Sequence, residues 1–401
     1  MDIIRKIYQY ILCEEKQEND LGYEYDPNKK VSINQLTSDV DDAIKHHLSL
    51  SNDPSARRKN SSTARLSIEK FVGTNLRGET RSLLSANTKL QKANKTALTI
   101  PDGSGVETVG LTLAPAYQQG KFNTCPNSAS CRETCLGKTS GGYFQYGGGV
   151  AGLHDYLGPK LAYLKRTHAL LNDPKAFAVR LNDEINVAKY KAEMNGNHLG
   201  VRLNVLSDLH PKVFRSIINA HPDVSFYDYT KNNVDPIAPN HHITYSSTGV
   251  SQQAGYNGLI HSIDNPNSNW HQMRRRLNQG HNVAMVFSHR TAIPTHVHDE
   301  ETGHTYHVIS GDEHDFRPID GRHESGHGYV IGLTNKAKNL THSNSALNSN
   351  GFIVHYDPKF KSLNGKHQKD SAGMPIPSVT TVIIPKQKRQ IFTLNNDGEW
   401  E

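Results

Sequence analysis

From residue 106 onward, short apolar runs alternate with longer stretches whose apolar residues recur every three or four positions. VETVGLTLAPA (106–116) reads as a buried strand, bounded by Asp102-Gly103 before it and Pro115 near its end. LHDYLGPKLAYLKRTHALLND (153–173) and PKAFAVRLNDEINVAKYKAEMNG (174–196) read as helices, with Pro174 suited to a first helical turn. A strand-helix-strand unit follows: GVRLNVLSD (200–208), HPKVFRSIINAHP (210–222) and VSFYDYT (224–230). HHITYSS (241–247) is a further strand, NWHQMRRRLNQG (269–280) a helix, and HNVAMVF (281–287) the next strand. Crossovers of this length join parallel strands flanked by helices. The number of units predicts an α/β fold on a barrel-like parallel sheet, a complete or partial TIM-type barrel.

After residue 288 the pattern changes. GYVIGLT (328–334), GFIVHYD (351–357) and SVTTVIIP (378–385) read as strands, and the His-rich stretch 289–327 contains a hairpin pattern. The first hundred residues differ again. Residues 2–14 and SINQLTSDVDDAIKHHLSL (32–50) have helical periodicity, while NDLGYEYDPNKK and SNDPSARRKNSSTAR read as linkers. The expected organisation is a helical and linker region (1–82), a barrel-like core (83–288), and a His-rich, β-containing part (289–401) that completes the core.

Composition narrows the function classes. The chain has 401 residues, 35% of them hydrophobic, and no apolar run near the roughly 20 residues a membrane span requires. With no basic-then-apolar leader at the start, the expected location is the cytoplasm and no membrane partner is expected. A net charge of +6 permits contact with a nucleotide or nucleic acid without requiring it. Arg57, Arg58, Lys59 and Arg65 form a basic knot, either a solvated loop or a phosphate-contacting arm. Arg274, Arg275 and Arg276 lie on adjacent helical faces, either in solvent or against nucleic acid.

The four cysteines are unevenly spread: Cys13 stands alone, while Cys125, Cys131 and Cys135 fall within FNTCPNSASCRETCLG (122–137). The spacing is Cys-x5-Cys-x3-Cys. A helical SASCRETC puts Cys131 and Cys135 on one face, with Cys125 reaching in from the preceding loop. Three soft thiolates suit an iron–sulfur cluster or zinc rather than magnesium or calcium. A 4Fe–4S cluster held by three cysteines leaves one iron open; a zinc site requires a fourth ligand from elsewhere in the chain. Gly141, Gly142, Gly147 and Gly148 follow in GGYFQYGGG, a tract that lets backbone approach an anionic or nucleotide cofactor, or serves as a plain linker.

LTLAPAYQQGKFNTCPNSASCRETCLG, RLNVLSDLHP, FYDYTKN and GDEHDFRPID...GYVIGL together resemble a phage and plasmid family, gene product eighty-eight, over roughly residues 83–357. That resemblance implies a mobile-element origin and brings no established reaction with it. A looser likeness is to radical S-adenosylmethionine enzymes, which place three cysteines after the first strand of a partial α/β barrel. It implies S-adenosylmethionine as a further cofactor. Here the cysteine spacing departs from that pattern, and Thr134 stands where an aromatic residue usually precedes the last cysteine.

The ends of the strands supply the remaining candidates. In FYDYTK, Phe226, Asp228 and Thr230 point one way and Tyr227, Tyr229 and Lys231 the other. Asp208, ending the preceding strand, joins them at the same mouth, so Asp208, Asp228, Tyr229 and Lys231 are the catalytic candidates. A core role for the tyrosines and a turn cap for Asp228 are the alternatives. Arg202 facing the barrel interior needs a buried partner, for which Asp228 is a candidate. His296 and His298 form a His-x-His triplet of the kind used by metal-dependent nucleases, although one such triplet arises by chance among 23 histidines. Asp312, His314, Asp315 and Asp320 are either divalent-metal ligands or a solvated polar turn. The expected function is an iron–sulfur enzyme acting on a nucleotide or nucleic acid. The alternatives are a nucleic-acid-binding protein with a structural metal, or a nuclease.

Overall fold

The computed structural model describes residues 26, 29–72, 82–86, 90, 98–128, 131, 135, 162–248, 269–289, 292–335, 352–354, 362–363, 366–367 and 381–384. The glycine tract 141–149, the pattern at 2–14, and Arg132 and Lys138, the basic residues beside the cysteines, lie outside these residues.

The core is one large sheet. Its strands are β1 (Leu84–Ser85), β2 (Gly105–Leu111), β3 (Asn197–Arg202), β4 (Ser225–Thr230), β5 (His241–Ser246), β6 (Val283–Phe287), β7 (His296–Asp299), β8 (His304–Ser310), β9 (Val330–Thr334), β10 (Ile353–Val354) and β13 (Thr381–Ile384). The spatial order is β1-β2-β3-β4-β5-β6-β9-β8-β7-β13, with β10 added alongside β6. From β2 through β6, β9 and β8 every neighbouring pair is parallel; β1 pairs with β2 and β7 with β8 antiparallel. A small hairpin, β11 (Ser362–Leu363) and β12 (Lys366–His367), stands apart.

Among the described residues the sheet is not closed, so the expected barrel is not confirmed. Strands follow one another in barrel-like order from β2 to β6, but the sheet ends at β1 and β13, which do not pair with each other. The reason lies after β6, where the chain builds the β7–β8 hairpin instead of another strand-helix unit. β13 then adds beside β7 and extends the edge away from β1.

Helices cover one face. They are α1 (Ile33–Ser49), α2 (Pro54–Val72), α3 (162–172), α4 (Pro174–Met194), α5 (Arg215–Ala220) and, farther along the sheet, α6 (Trp270–Asn278). Ser32 caps α1 by accepting the Gln35 N–H, and Asp173 caps α4 by accepting that of Ala176. Leu36, Val40 and Ile44 of α1, Ile68 and Phe71 of α2, and Phe177, Leu181 and Ile185 of α4 share one core with Val201 and Phe226. The first helices therefore pack directly into the sheet's main core.

The segment 51–65, expected as a linker, is mostly helix α2. Its Ser, Asn and Pro residues resemble loop punctuation, but Pro54 occupies the first turn. Asp53 caps that turn by accepting the N–H groups of Ser55 and Ala56. Arg57, Arg58, Lys59 and Arg65 thus project from a helix.

Period-two alternation gives the other face different residues. Tyr227 packs with Val106, Leu90 and Phe316, and Tyr229 with Ala284 and Ile331. Gly200 is required here: a Cβ on it would stand 2.7 Å from the Phe316 ring. The strand expected over 200–208 ends at Arg202 because Asn204 turns the chain. The Asn204 side chain accepts from Ser207 Oγ and the Leu209 N–H, while its backbone N–H goes to Asp228. Among the described residues, no helix is long and apolar enough to cross a membrane.

Candidate functional site

Parallel strands bring their carboxyl ends to one edge, and the cysteine loop lies across four of them. Leaving β2, the chain is folded back by Thr124, whose hydroxyl donates to Ala114 O (2.6 Å) and whose N–H donates to Ala116 O (3.1 Å). The Thr124 carbonyl accepts the N–H of Asp208, beyond β3, at 2.8 Å. Asn127 donates to Asn232, beyond β4, at 2.8 Å. The Cys131 N–H reaches Thr248 O, beyond β5, at 3.3 Å. Each contact comes from a different strand end, so the edge of the sheet fixes the loop.

Asp208 is the hub. Buried, it accepts from Thr230 Oγ1 (2.7 Å), Asn232 Nδ2 (3.0 Å) and the Lys231 N–H (2.9 Å). Burial pushes its carboxyl above the ordinary value, against the pull of the Lys231 charge and these hydrogen bonds. Its satisfied oxygens make it a brace that holds Lys231 in place.

Cys125 is buried. Its Sγ lies 3.4 Å from the Ala116 nitrogen, which donates to it, and 3.6 Å from Leu206 O. Ala116 has φ +52°, the one left-handed non-glycine among the described residues, a conformation that costs about 1–3 kcal/mol. That strain aims a backbone N–H at the sulfur. Burial pushes the Cys125 thiol up, Ala116 pulls it back, the Asp208 charge raises it, and Thr124 and Lys231 lower it.

Lys231 ties the group together. Burial opposes its charge, yet Cys131, Asp208, Cys125 and Cys135 hold its ammonium above the ordinary lysine value. All three cysteines of the motif therefore lie within electrostatic reach of one amine, and all three are thiols. Cys131 sits in a 3-10 turn and Cys135 has no helical conformation, so the two do not share a helix face as expected. Among the described residues, no three His, Cys, Asp or Glu side chains already stand in position to hold a metal ion.

The other candidates sit elsewhere. Asp228 accepts the Asn204 N–H at 2.7 Å and faces His241 Nε2 at 3.8 Å, on the helix-covered side of β4. Tyr229 lies under the Arg202 guanidinium, 4.7 Å from ring centroid to Cζ, and burial pushes its phenol well up. Of the four catalytic candidates, Asp208 and Lys231 join the thiols; Asp228 and Tyr229 make these contacts on opposite faces of β4. Thr124, Asn127, Asn232 and Ala116 complete the site. Sequence offered one signal for them, a cluster of Asn and Thr residues flanking the cysteine motif and ending β4.

Three further expectations are corrected. Arg202 pairs with Asp315 at 2.9 Å, not with Asp228, because residues 202 and 228 face opposite sides of the sheet. The GDEHD segment is only partly solvated: Glu313 is exposed, Asp312 and His314 are half-buried, and the polar-turn expectation fails at Asp315. Asp315 is fully buried, Asp312 accepts from Thr334, and Asp320 pairs with Arg317. Arg274 pairs with Asp299 and Glu301, Arg275 donates to Asn233, and Arg276 pairs with Asp235 across the Tyr245 ring. Arg274 and Arg276 are thus engaged within the chain, while Arg275 is solvent-exposed, as one of the two expectations had it. In the His-x-His triplet, His298 engages Thr305 Oγ1 at 2.9 Å and His296 packs edge-on to His307.

The chain is thus an open, mostly parallel α/β protein with a thiol-and-lysine site at the carboxyl ends of its strands. Residues 81–353 match the gene product 88 family, and the chain belongs to that family. The matched stretch contains the three thiols, Asp208 and Lys231. No curated protein and no solved structure matches the chain. The looser likeness to radical S-adenosylmethionine enzymes has no counterpart in these comparisons.

Proposed function

We propose that the chain is an iron–sulfur protein in which Cys125, Cys131 and Cys135 hold a 4Fe–4S cluster with one iron open. We further propose that it is an enzyme acting on a nucleotide or nucleic acid. The observation that supports the reading is the Cys-x5-Cys-x3-Cys loop pinned across the strand ends, with all three sulfurs within electrostatic reach of Lys231. Thiolates are the ligands such clusters take, and three of them leave one iron for a substrate. When bound, the cluster would supply a Lewis-acid or electron-transfer centre there. Lys231 supplies a positive charge that offsets the thiolates, and Asp208 fixes the lysine backbone. The Ala116 N–H donates to the Cys125 sulfur, an interaction that favours thiolate over thiol. Ligand sites of parallel α/β sheets gather at the carboxyl ends of the strands, which supports a substrate position beside the same loop. The net charge of +6 favours an anionic substrate.

A nucleic-acid-binding protein with a structural metal loses part of one support, since Arg274 and Arg276 are engaged within the chain. The test is purification without oxygen, followed by iron and sulfide assays and an absorption spectrum. The expected result is about four irons per chain with broad absorbance near ~400 nm, lost in Cys125→Ala, Cys131→Ala and Cys135→Ala. A colourless protein carrying zinc, or no metal at all, overturns the cluster assignment.

A further inference from the structure

At the opposite, amino ends of the strands lies a cavity of about 370 Å³. Its floor is the start of β5 and the 280–282 turn leading into β6. One wall is the proline-rich loop 236–239, and the other is the chain around Arg317 and Arg322. No carboxylate lines it. His242, His281, Arg317 and Arg322 do, together with Pro236, Pro239 and Pro318.

The charges are unequal in availability. Arg317 is buried and matched by Asp320 at 3.1 Å. Arg322 is exposed and forms no ion pair with a carboxylate among the described residues. Gly280 sets its place. With φ +82° the turn adopts a conformation that favours glycine, and a Cβ there would lie 3.0 Å from both Cδ and Nε of Arg322. The absent side chain lets the arginine lie across the turn at the rim of the cavity. His281 is held edge-on against Tyr245, 5.6 Å between centroids, and Asn282 ties the turn to the chain beyond by accepting the Tyr329 N–H at 2.8 Å. The rim is therefore braced on both sides.

Burial lowers the basicity of His242 and His281, so near neutral pH they offer N–H groups more than charge. Among the described residues lining the cavity, the positive charge without a carboxylate partner is that of Arg322. A guanidinium fork with two imidazoles provides donors for three oxygens, more than a carboxylate presents and matching a phosphate monoester. The volume exceeds what phosphate alone fills and lies in the range of small-molecule sites, and the proline wall is suited to an apolar ring face. We infer that this cavity binds a small phosphate monoester, its phosphate against Arg322 and His281 and its organic part against the prolines. The inference is independent of the cysteine centre, which lies at the other end of the same strands.

Calorimetric titration of the full chain with inorganic phosphate, adenosine monophosphate and adenosine tests it. The expected result is saturable binding of adenosine monophosphate, with or without binding of phosphate alone, and affinity for adenosine lower by about tenfold or more. Arg322→Glu, at an exposed position, is expected to weaken adenosine monophosphate by a similar factor; Arg322→Gln serves if the glutamate variant does not fold. Adenosine binding as tightly as its monophosphate, binding unchanged in the Arg322 variant, or no binding of either phosphate ligand each overturns the assignment.

Discussion

On the helix-covered side of the central strands, Val201, Leu203 and Phe226 meet Leu36, Ile68, Phe177 and Leu181, almost wholly apolar partners. On the other side of the same strands, Arg202 is paired with Asp315, Tyr229 lies beneath that arginine, and Arg317 is paired with Asp320. Both sides exclude water, but by different means. Aliphatic packing is non-directional and degrades gradually as atoms are removed. A buried ion pair adds little net stability and becomes costly once one partner is lost. The helix side should therefore tolerate graded change, and the ionic side should respond to which half of a pair is removed.

The largest effect is expected at Asp315. Asp315→Ala leaves the Arg202 guanidinium buried without its carboxylate and should cost about 3–5 kcal/mol in denaturant unfolding. Replacing both, Arg202→Met with Asp315→Leu, should recover most of that loss, because neither charge then remains. A double variant as unstable as the single one would show that the cost comes from lost packing instead. On the helix side, Leu203→Ala should cost about 2–5 kcal/mol through transfer and cavity terms. No second substitution on a neighbouring aliphatic residue should rescue it. Rescue by a larger neighbour without repacking would contradict the distinction between the two sides.

Much of the helix side was legible in the sequence, since period-two strands and capped helices are local signals. Pro174 after Asp173 marked α4, and the apolar pattern marked β4 and β6 to within a residue or two. The ionic side was not legible. Arg202 and Asp315 are 113 positions apart, and nothing local distinguishes a buried Asp315 from a solvated one. That the described strands leave the sheet open was equally hidden, because it depends on β13 adding beside β7 rather than meeting β1. At the candidate site, spacing singled out the three cysteines and strand-end position singled out Asp208 and Lys231. The strained backbone of Ala116 and the cross-strand contacts of Thr124 and Asn127 depend on tertiary geometry, which carries no local mark in the sequence.

The two sides also differ in how they respond to acid. His221, between Asn182 and Phe226 on the helix side, is buried, and desolvation lowers its pKa to about 4. A depressed histidine contributes stability above its unfolded value near 6.5, lost as pH falls through the folded value. Unfolding free energy should fall by up to about 1.4 kcal/mol per pH unit between those two values on account of this group. His221→Gln keeps a polar partner for Asn182 and should flatten that limb. An unchanged slope would place the acid sensitivity elsewhere, with His168 the next group to test because burial holds its pKa at about 3.

Asp320 on the ionic side runs in the opposite direction. Burial raises its pKa to about 6, with Arg317 pulling it down only in part. A raised carboxylate contributes stability that is fully present below pH 3.8 and is lost as pH rises through the folded value. Near neutral pH the ionised form is therefore a liability despite its ion pair. Removing that charge also leaves Arg317 with less compensation, so the two effects oppose each other. Asp320→Asn should be the mildest of these changes, gaining on the order of 1 kcal/mol at pH 7 and little or nothing at pH 4. Unfolding curves of the wild type and the variant at the two pH values provide the check. A variant less stable at pH 7 than at pH 4, relative to wild type, would mean that the Arg317 pair outweighs burial and that the ionic side is held by its charges after all.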